Sequence, residues 1–68
     1  MWLVQTVLVP RRFSERAAMA VVRRRGFHLF KVDEAPGYWR FRQREPVKGA
    51  LYRTARTRDG VLIVEMGP

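Results

Sequence analysis

The stretch WLVQTVLV, residues 2–9, decides the fold because every other segment must pack around it. It is β-branched and apolar at positions that point to both faces of a strand, which is typical of an inner strand. Pro10 follows it and ends its hydrogen-bonded ladder, because proline has no N–H. We therefore expect the first strand to lie at the centre of a sheet.

The next stretch, RRFSERAAMAVVRRRGF, has the signals of a complete helix over residues 15–25. Ser14 can cap the first turn, the arginines at 23–25 complement the negative C-terminal end, and Gly26 can take the left-handed conformation that ends a helix. At 3.6 residues per turn, Arg16 and Arg23 point away from the sheet. The face predicted to pack on the sheet consists of Ala17, Ala18, Val21 and Val22.

The remaining sequence predicts four more strands. FHLFKVDEAPGYWRFRQRE is typical of a hairpin with strands at 27–32 and 38–44 around a turn at 33–37. ALYRTART (50–57) has the weakest strand pattern, and Asp59-Gly60 then predicts a turn before VLIVEM at 61–66. The predicted fold is α+β in two layers, one helix packed on a mostly antiparallel sheet in the order β-α-β-β-(β)-β, as one domain over residues 1–68.

Composition limits the function classes. The chain of 68 residues has no cysteine, which excludes disulfides, thiolate zinc sites and cysteine nucleophiles. It lacks the basic region expected before a signal peptide's apolar segment, and no run approaches a membrane span, so we expect a cytoplasmic protein with no membrane partner. The formal net charge is +8, and the electric field of such a charge attracts polyanions.

The sequence offers no catalytic, metal-binding or cofactor-binding residues. His28 is the single histidine and Ser14 the single serine, and Ser14 is already assigned to the helix cap. Asp33 and Glu34 are neighbours in a predicted turn, where their side chains diverge, which disfavours an acid–base pair. The glycines stand alone at element boundaries and form no phosphate-binding loop. These patterns predict a non-enzymatic protein.

The stretch GYWRFRQREP, residues 37–46, predicts a binding surface. Alternation along a strand places Arg40, Arg42 and Arg44 on one face with Tyr38, while Trp39 and Phe41 point toward the helix. Arginines with an aromatic on an open sheet face suit the backbone of a nucleic acid. The alternative is a solvated face that keeps the sheet soluble.

A second basic group precedes the helix. Arg11 and Arg12 have no structural role that the sequence reveals, and the free amides of a helix N-terminus favour anions. We therefore count Arg11 and Arg12 with Tyr38, Arg40, Arg42 and Arg44 as the candidate residues for binding nucleic acid or another partner.

The chain resembles a small domain found in bacteriophage and phage-like genomes. The likeness covers nearly the whole chain and is most specific at KVDEA (31–35) followed by RFRQ (40–43), with VLVP before them and YRT and DG after them. Ala35 stands where that domain usually has threonine, and Val21 where it often has an aromatic residue. The resemblance implies an α+β fold and a phage context, in the host cytoplasm or the virion, but no particular activity.

Three functions fit these observations. The first is nucleic-acid binding through the arginines. The second is binding of an acidic protein, such as a component of host defence or transcription machinery. The third is a structural accessory of the virion. The sequence leaves the oligomeric state and the choice between DNA and RNA open.

Overall fold

Five strands and one helix make up the computed structural model, which describes residues 1–68. In the single sheet the strands stand in the order β2-β3-β1-β5-β4, and every neighbouring pair is antiparallel. The predicted α+β class, with one helix and an antiparallel sheet, is confirmed. The elements are β1 (Leu3–Pro10), α1 (Glu15–Arg24), β2 (Lys31–Ala35), β3 (Tyr38–Arg42), β4 (Leu51–Arg56) and β5 (Leu62–Gly67).

β1 lies at the centre of the sheet, as its sequence predicts. It is hydrogen-bonded to β3 on one side and β5 on the other, and Val7 and Val9 are fully buried beneath the helix. Its register shifts between Val4 and Thr6, which leaves Gln5 in a β-bulge. This bulge decides where the neighbouring strand ends.

The helix starts and ends almost where the sequence places it. Ser14 Oγ accepts a hydrogen bond from the backbone N of Ala17 at 3.1 Å, and Gly26 has a φ of 83°, which favours glycine. The helix ends at Arg24, one residue before the predicted end. The core that it forms with the sheet consists of Val7, Val9, Ala18, Val22, Phe41 and Val61.

The predicted boundaries of β2 are wrong. The strand covers Lys31–Ala35, so Asp33 lies within it, and the turn to β3 is formed by Pro36 and Gly37. Gly37 has a φ of 80°, which allows a two-residue turn and brings Ala35 opposite Tyr38. Residues 27–30 are not a strand, because Phe27 and Leu29 turn inward and pack against the core.

β3 is two residues shorter than predicted. The backbone N–H groups of Gln43 and Arg44 both donate to the carbonyl of Gln5, at 2.8 and 3.4 Å, instead of continuing the ladder. The side chain of Gln5 also donates to the carbonyl of Arg44 at 2.9 Å. The bulge in β1 therefore ends β3 at Arg42.

The helix covers one face of the sheet, and no element covers the other, which we call the open face. Phe41 and Trp39 point toward the helix as predicted, and Trp39 Nε1 donates to the carbonyl of Phe13 at 2.9 Å. The alternate residues of β3, which are Tyr38, Arg40 and Arg42, therefore point to the open face. The one helix is too short to cross a membrane.

Candidate nucleic-acid interface

The centre of the open face carries Leu8, Leu62, Val64 and the hydroxyl residue Thr6, and arginines flank it. In the register of the sheet, Thr6 lies between Arg42 and Val64. Two residues further along β1, on the same face, Leu8 lies between Arg40 and Leu62. Rows on one face are about 7 Å apart. Arg40 and Arg42 thus stand side by side along one edge of this central strip.

This strip forms the floor of a shallow concavity of about 470 Å³. Tyr38 lies on the β3 side, and Tyr52, which is 46% exposed, lies on the β4 side. Pro36 and Pro46, from the loops beside the two tyrosines, complete two of its walls. The concavity falls within the range of about 300–1,000 Å³ that small organic groups occupy in proteins.

Arg40 and Arg42 each pair with a carboxylate, but the distances are long for an ion pair. Arg40 Nη2 lies 3.5 Å from Asp33 Oδ2, and Arg42 Nη1 lies 3.8 Å from Glu45 Oε2. The Nε atoms of Arg40 and Arg42 are buried and donate to no acceptor. Partly exposed pairs of this length contribute about 0–1 kcal/mol, so they orient the guanidinium groups without holding them tightly.

Arg44 does not join Arg40 and Arg42. It follows the end of β3, and its Nε donates to the carbonyl of Val4 at 3.0 Å. The structure therefore places two arginines, and not three, on the open face of β3. Arg44 instead closes the end of the sheet beside the bulge.

Arg11 and Arg12 lie at the other face of the sheet. The guanidinium of Arg11 stacks 4.2 Å from the ring of Trp39 and pairs with Glu34 at 3.2 Å. Arg12 stacks 4.6 Å from the ring of Phe13 and donates to the carbonyl of Asp59. The structure gives both arginines structural contacts and does not bring them to Tyr38, Arg40 and Arg42.

Asp59 organises the turn between β4 and β5. Its pKa is lowered first by the hydrogen bond from the Thr57 hydroxyl and further by the guanidinium of Arg25, while desolvation opposes the shift. Arg25 Nη2 lies 3.2 Å from both carboxylate oxygens of Asp59. Of the three arginines at 23–25, Arg25 is therefore held by this turn.

Most of the positive charge has no carboxylate partner. Six ion pairs use six of the 14 basic residues, which leaves eight without one. Arg16 and Arg23 lie on the outer side of the helix, while Arg56 lies in the edge strand β4. The eight are Arg12, Arg16, Arg23, Arg24, Arg44, Lys48, Arg56 and Arg58.

The residues weighed for catalysis lie apart. His28 was predicted to lie in a strand, but it lies in the loop before β2. Its backbone N donates to Gln43 Oε1 at 2.8 Å, and its ring stacks on the ring of Phe30 at 4.6 Å. Asp33 and Glu34 are adjacent in β2 and pair with Arg40 and Arg11, which lie on opposite faces of the sheet. No three His, Asp or Glu side chains are grouped so as to hold a metal ion.

Sequence reasoning missed the other half of the concavity. Leu8 and Val64 lie in predicted strands, and alternation along these strands places both side chains on the open face. Tyr52 lies in LYRTAR, where a period of two places Tyr52, Thr54 and Arg56 together. This alternation is the signal in the sequence that predicts which side chains of β4 share a face with Tyr52.

Comparison with known proteins gives no relative: no family model, no curated protein and no solved structure matches the chain.

Proposed function

We propose that this protein is a small basic binding protein of phage type, acting in the host cytoplasm, and that its partner is nucleic acid, bound without catalysis. The observation that carries the proposal is the eight basic side chains without a carboxylate partner, on a chain of net charge +8. A polyanion neutralises such a field more completely than a small anion does, and it releases counterions as it binds.

The open face supports the same proposal. Arg40 and Arg42 stand about 7 Å apart on β3, and their long ion pairs leave guanidinium donors for phosphate oxygens. Tyr38 lies on the same face and offers a ring for a base. Phosphate contacts with arginine give affinity that tolerates many sequences.

Salt dependence tests this function. Fluorescence anisotropy with labelled duplex and single-stranded oligonucleotides is measured from about 50 to 200 mM salt. If three to five phosphates are neutralised, the log–log slope for duplex DNA is about −3 to −4.5. Absence of binding to both oligonucleotides at the lowest salt would overturn the proposal.

A second candidate function is contact with a protein through the edge strand β4. All six residues of β4 are exposed, and Leu51, with 60% of its surface exposed, adds an apolar side chain to an edge with free backbone groups. Such an edge can pair with a strand of a host or virion protein. Loss of one specific protein complex in a Leu51→Lys variant, with nucleic-acid binding negligible at physiological salt, would favour this function.

A further inference from the structure

The shape and chemistry of the open face select one form of nucleic acid. We propose that the concavity binds single-stranded nucleic acid, with unpaired bases on Tyr38 and Tyr52 and the backbone on Arg40 and Arg42. This inference rests on the proposed function and names its substrate class.

The lining of the concavity fits exposed bases. Its lining includes Leu8, Val64 and the two tyrosines, together with the buried polar residues Gln5 and Thr6. A duplex keeps its base faces stacked inside and presents phosphates, which have no favourable contact with Leu8 and Val64. A single strand exposes base faces that cover apolar and aromatic surface, as on other sheet platforms for single strands.

The charges of the concavity fit the backbone of the same strand. Arg40 and Arg42 line the concavity on β3, and Arg56 lies outside its lining, in the Leu8 row on the β4 side. Cations therefore stand on both sides of the strip. No carboxylate lines the concavity, and Asp33 lies outside it, beyond Arg40 in the same row. A chain with apolar bases and an anionic backbone complements this arrangement, whereas an apolar peptide leaves the arginines unmatched.

The two carboxylates behind the arginines tune the site. Asp33 and Glu45 neutralise part of the charge that a phosphate would meet, across 3.5 and 3.8 Å. Removing the Asp33 charge frees Arg40 and removes a repulsion, so Asp33→Asn is expected to bind a single strand more tightly by about threefold to tenfold. A merely solvated face predicts no such gain.

The test compares oligonucleotides of about 12 nucleotides, near the site size of single-strand platforms, as thymidine DNA, uridine RNA and a duplex of equal length. At about 50 mM salt we expect both single strands to bind at least tenfold more tightly than the duplex. Tyr52→Ala is expected to weaken single-strand binding about tenfold, the effect of one lost stacking partner. Tyr52 lies in an exposed edge strand, so this variant is expected to fold.

A matched pair of double variants separates the site from general charge. Arg40→Gln with Arg42→Gln removes two charges from the open face, and Arg16→Gln with Arg23→Gln removes two from the outer side of the helix. Only the first pair is expected to weaken single-strand binding by tenfold or more. Equal losses, or no effect of Tyr52→Ala, would overturn the inference.

The outcomes distinguish this inference from the function on which it rests. Duplex binding as tight as single-strand binding would overturn the single-strand site and leave the nucleic-acid function standing. No binding to any of the three oligonucleotides at about 50 mM salt would overturn both.

Discussion

Asp59 makes the turn between β4 and β5 sensitive to acid. Its folded-state pKa lies below the ordinary value of about 3.9, chiefly because the Thr57 hydroxyl donates to the carboxylate. A lowered pKa contributes stability that is present above the unfolded-state pKa and is lost as pH falls through the folded-state value. We therefore expect Asp59→Asn to have a lower thermal midpoint than the native protein at pH 6. Below about pH 4, where the native midpoint falls as Asp59 is protonated, the midpoint of the variant is expected to fall less.

The measurement is a series of circular dichroism melts of both proteins from about pH 6 to pH 2. Glu45→Gln is the control, because Glu45 is exposed and its two ion pairs, at 3.7 and 3.8 Å, are the longest in the structure. Parallel pH profiles for the native protein and Asp59→Asn would show that the turn does not depend on the ionised carboxylate.

Single residues differ in how far their roles follow from the sequence. Ser14 and Gly26 act within one helical turn, so the spacing of the neighbouring letters was enough to assign them. Gln5 acts across the sheet: its backbone and side chain bind a segment 39 positions away and end β3. No local sequence pattern indicates such a contact, so the sequence alone predicts that β3 continues through Arg44.

At the scale of elements, the phase of the helix gives a sharp prediction. Val22 is fully buried against the sheet, so Val22→Asp places an unpaired charge in the core at a cost of several kcal/mol. The whole stability expected of 68 residues is about 3–10 kcal/mol. We expect this variant to be unfolded or close to its midpoint at 25 °C, as measured by circular dichroism and urea titration.

Arg16→Asp is the control on the same helix, because Arg16 is exposed on its outer side. A negative charge in the first turn is also favourable to the helix dipole, so the free energy of unfolding of this variant is expected to stay within about 0.5 kcal/mol of the native value or to rise. Equal tolerance of the two variants would contradict the packing of this helix.

Elements with one strong period were predictable, and those with competing signals were not. The helix and β1 are uniform in pattern and were placed within about two residues, the usual uncertainty of element ends. FHLF has the composition of a strand, but Phe27 is used to close the helix end, and its N–H donates to the carbonyl of Val22 at 3.1 Å. Because of this tertiary packing, β2 starts four residues later and ends three residues later than predicted.

At the scale of the whole molecule, the candidate site could be predicted only in part. Successive side chains of any strand point to opposite faces, so the sequence of β3 is enough to place Tyr38, Arg40 and Arg42 on one face. Arg11 and Arg12 are predicted to join this group by their charge and their place before the helix N-terminus, but the sheet separates them from it. Leu8, Tyr52 and Val64 reach the same concavity only through the order β3-β1-β5-β4, which depends on long-range pairing.

The net charge of +8 predicts that salt stabilises the fold. Six ion pairs attract across 2.7–3.8 Å, well within the Debye length of about 10 Å at 0.1 M, so salt weakens them little. The excess cations repel across a molecule 24–33 Å wide, where the same salt screens most of the interaction. Because the screened repulsion outweighs the weakened attraction, the thermal midpoint should rise by a few degrees between about 20 and 300 mM sodium chloride.

A variant with fewer unpaired cations tests the cause of this rise. Replacing Arg16, Arg56 and Arg58 with glutamine removes three exposed charges that have no carboxylate partner. Its thermal midpoint is expected to exceed that of the native protein at low salt and to depend less on salt, since less repulsion remains to be screened. Sodium chloride is used because sulfate or phosphate would add anion binding to the screening. A native midpoint that falls with salt would mean that the ion pairs dominate, and the surplus of arginine would then cost the fold little.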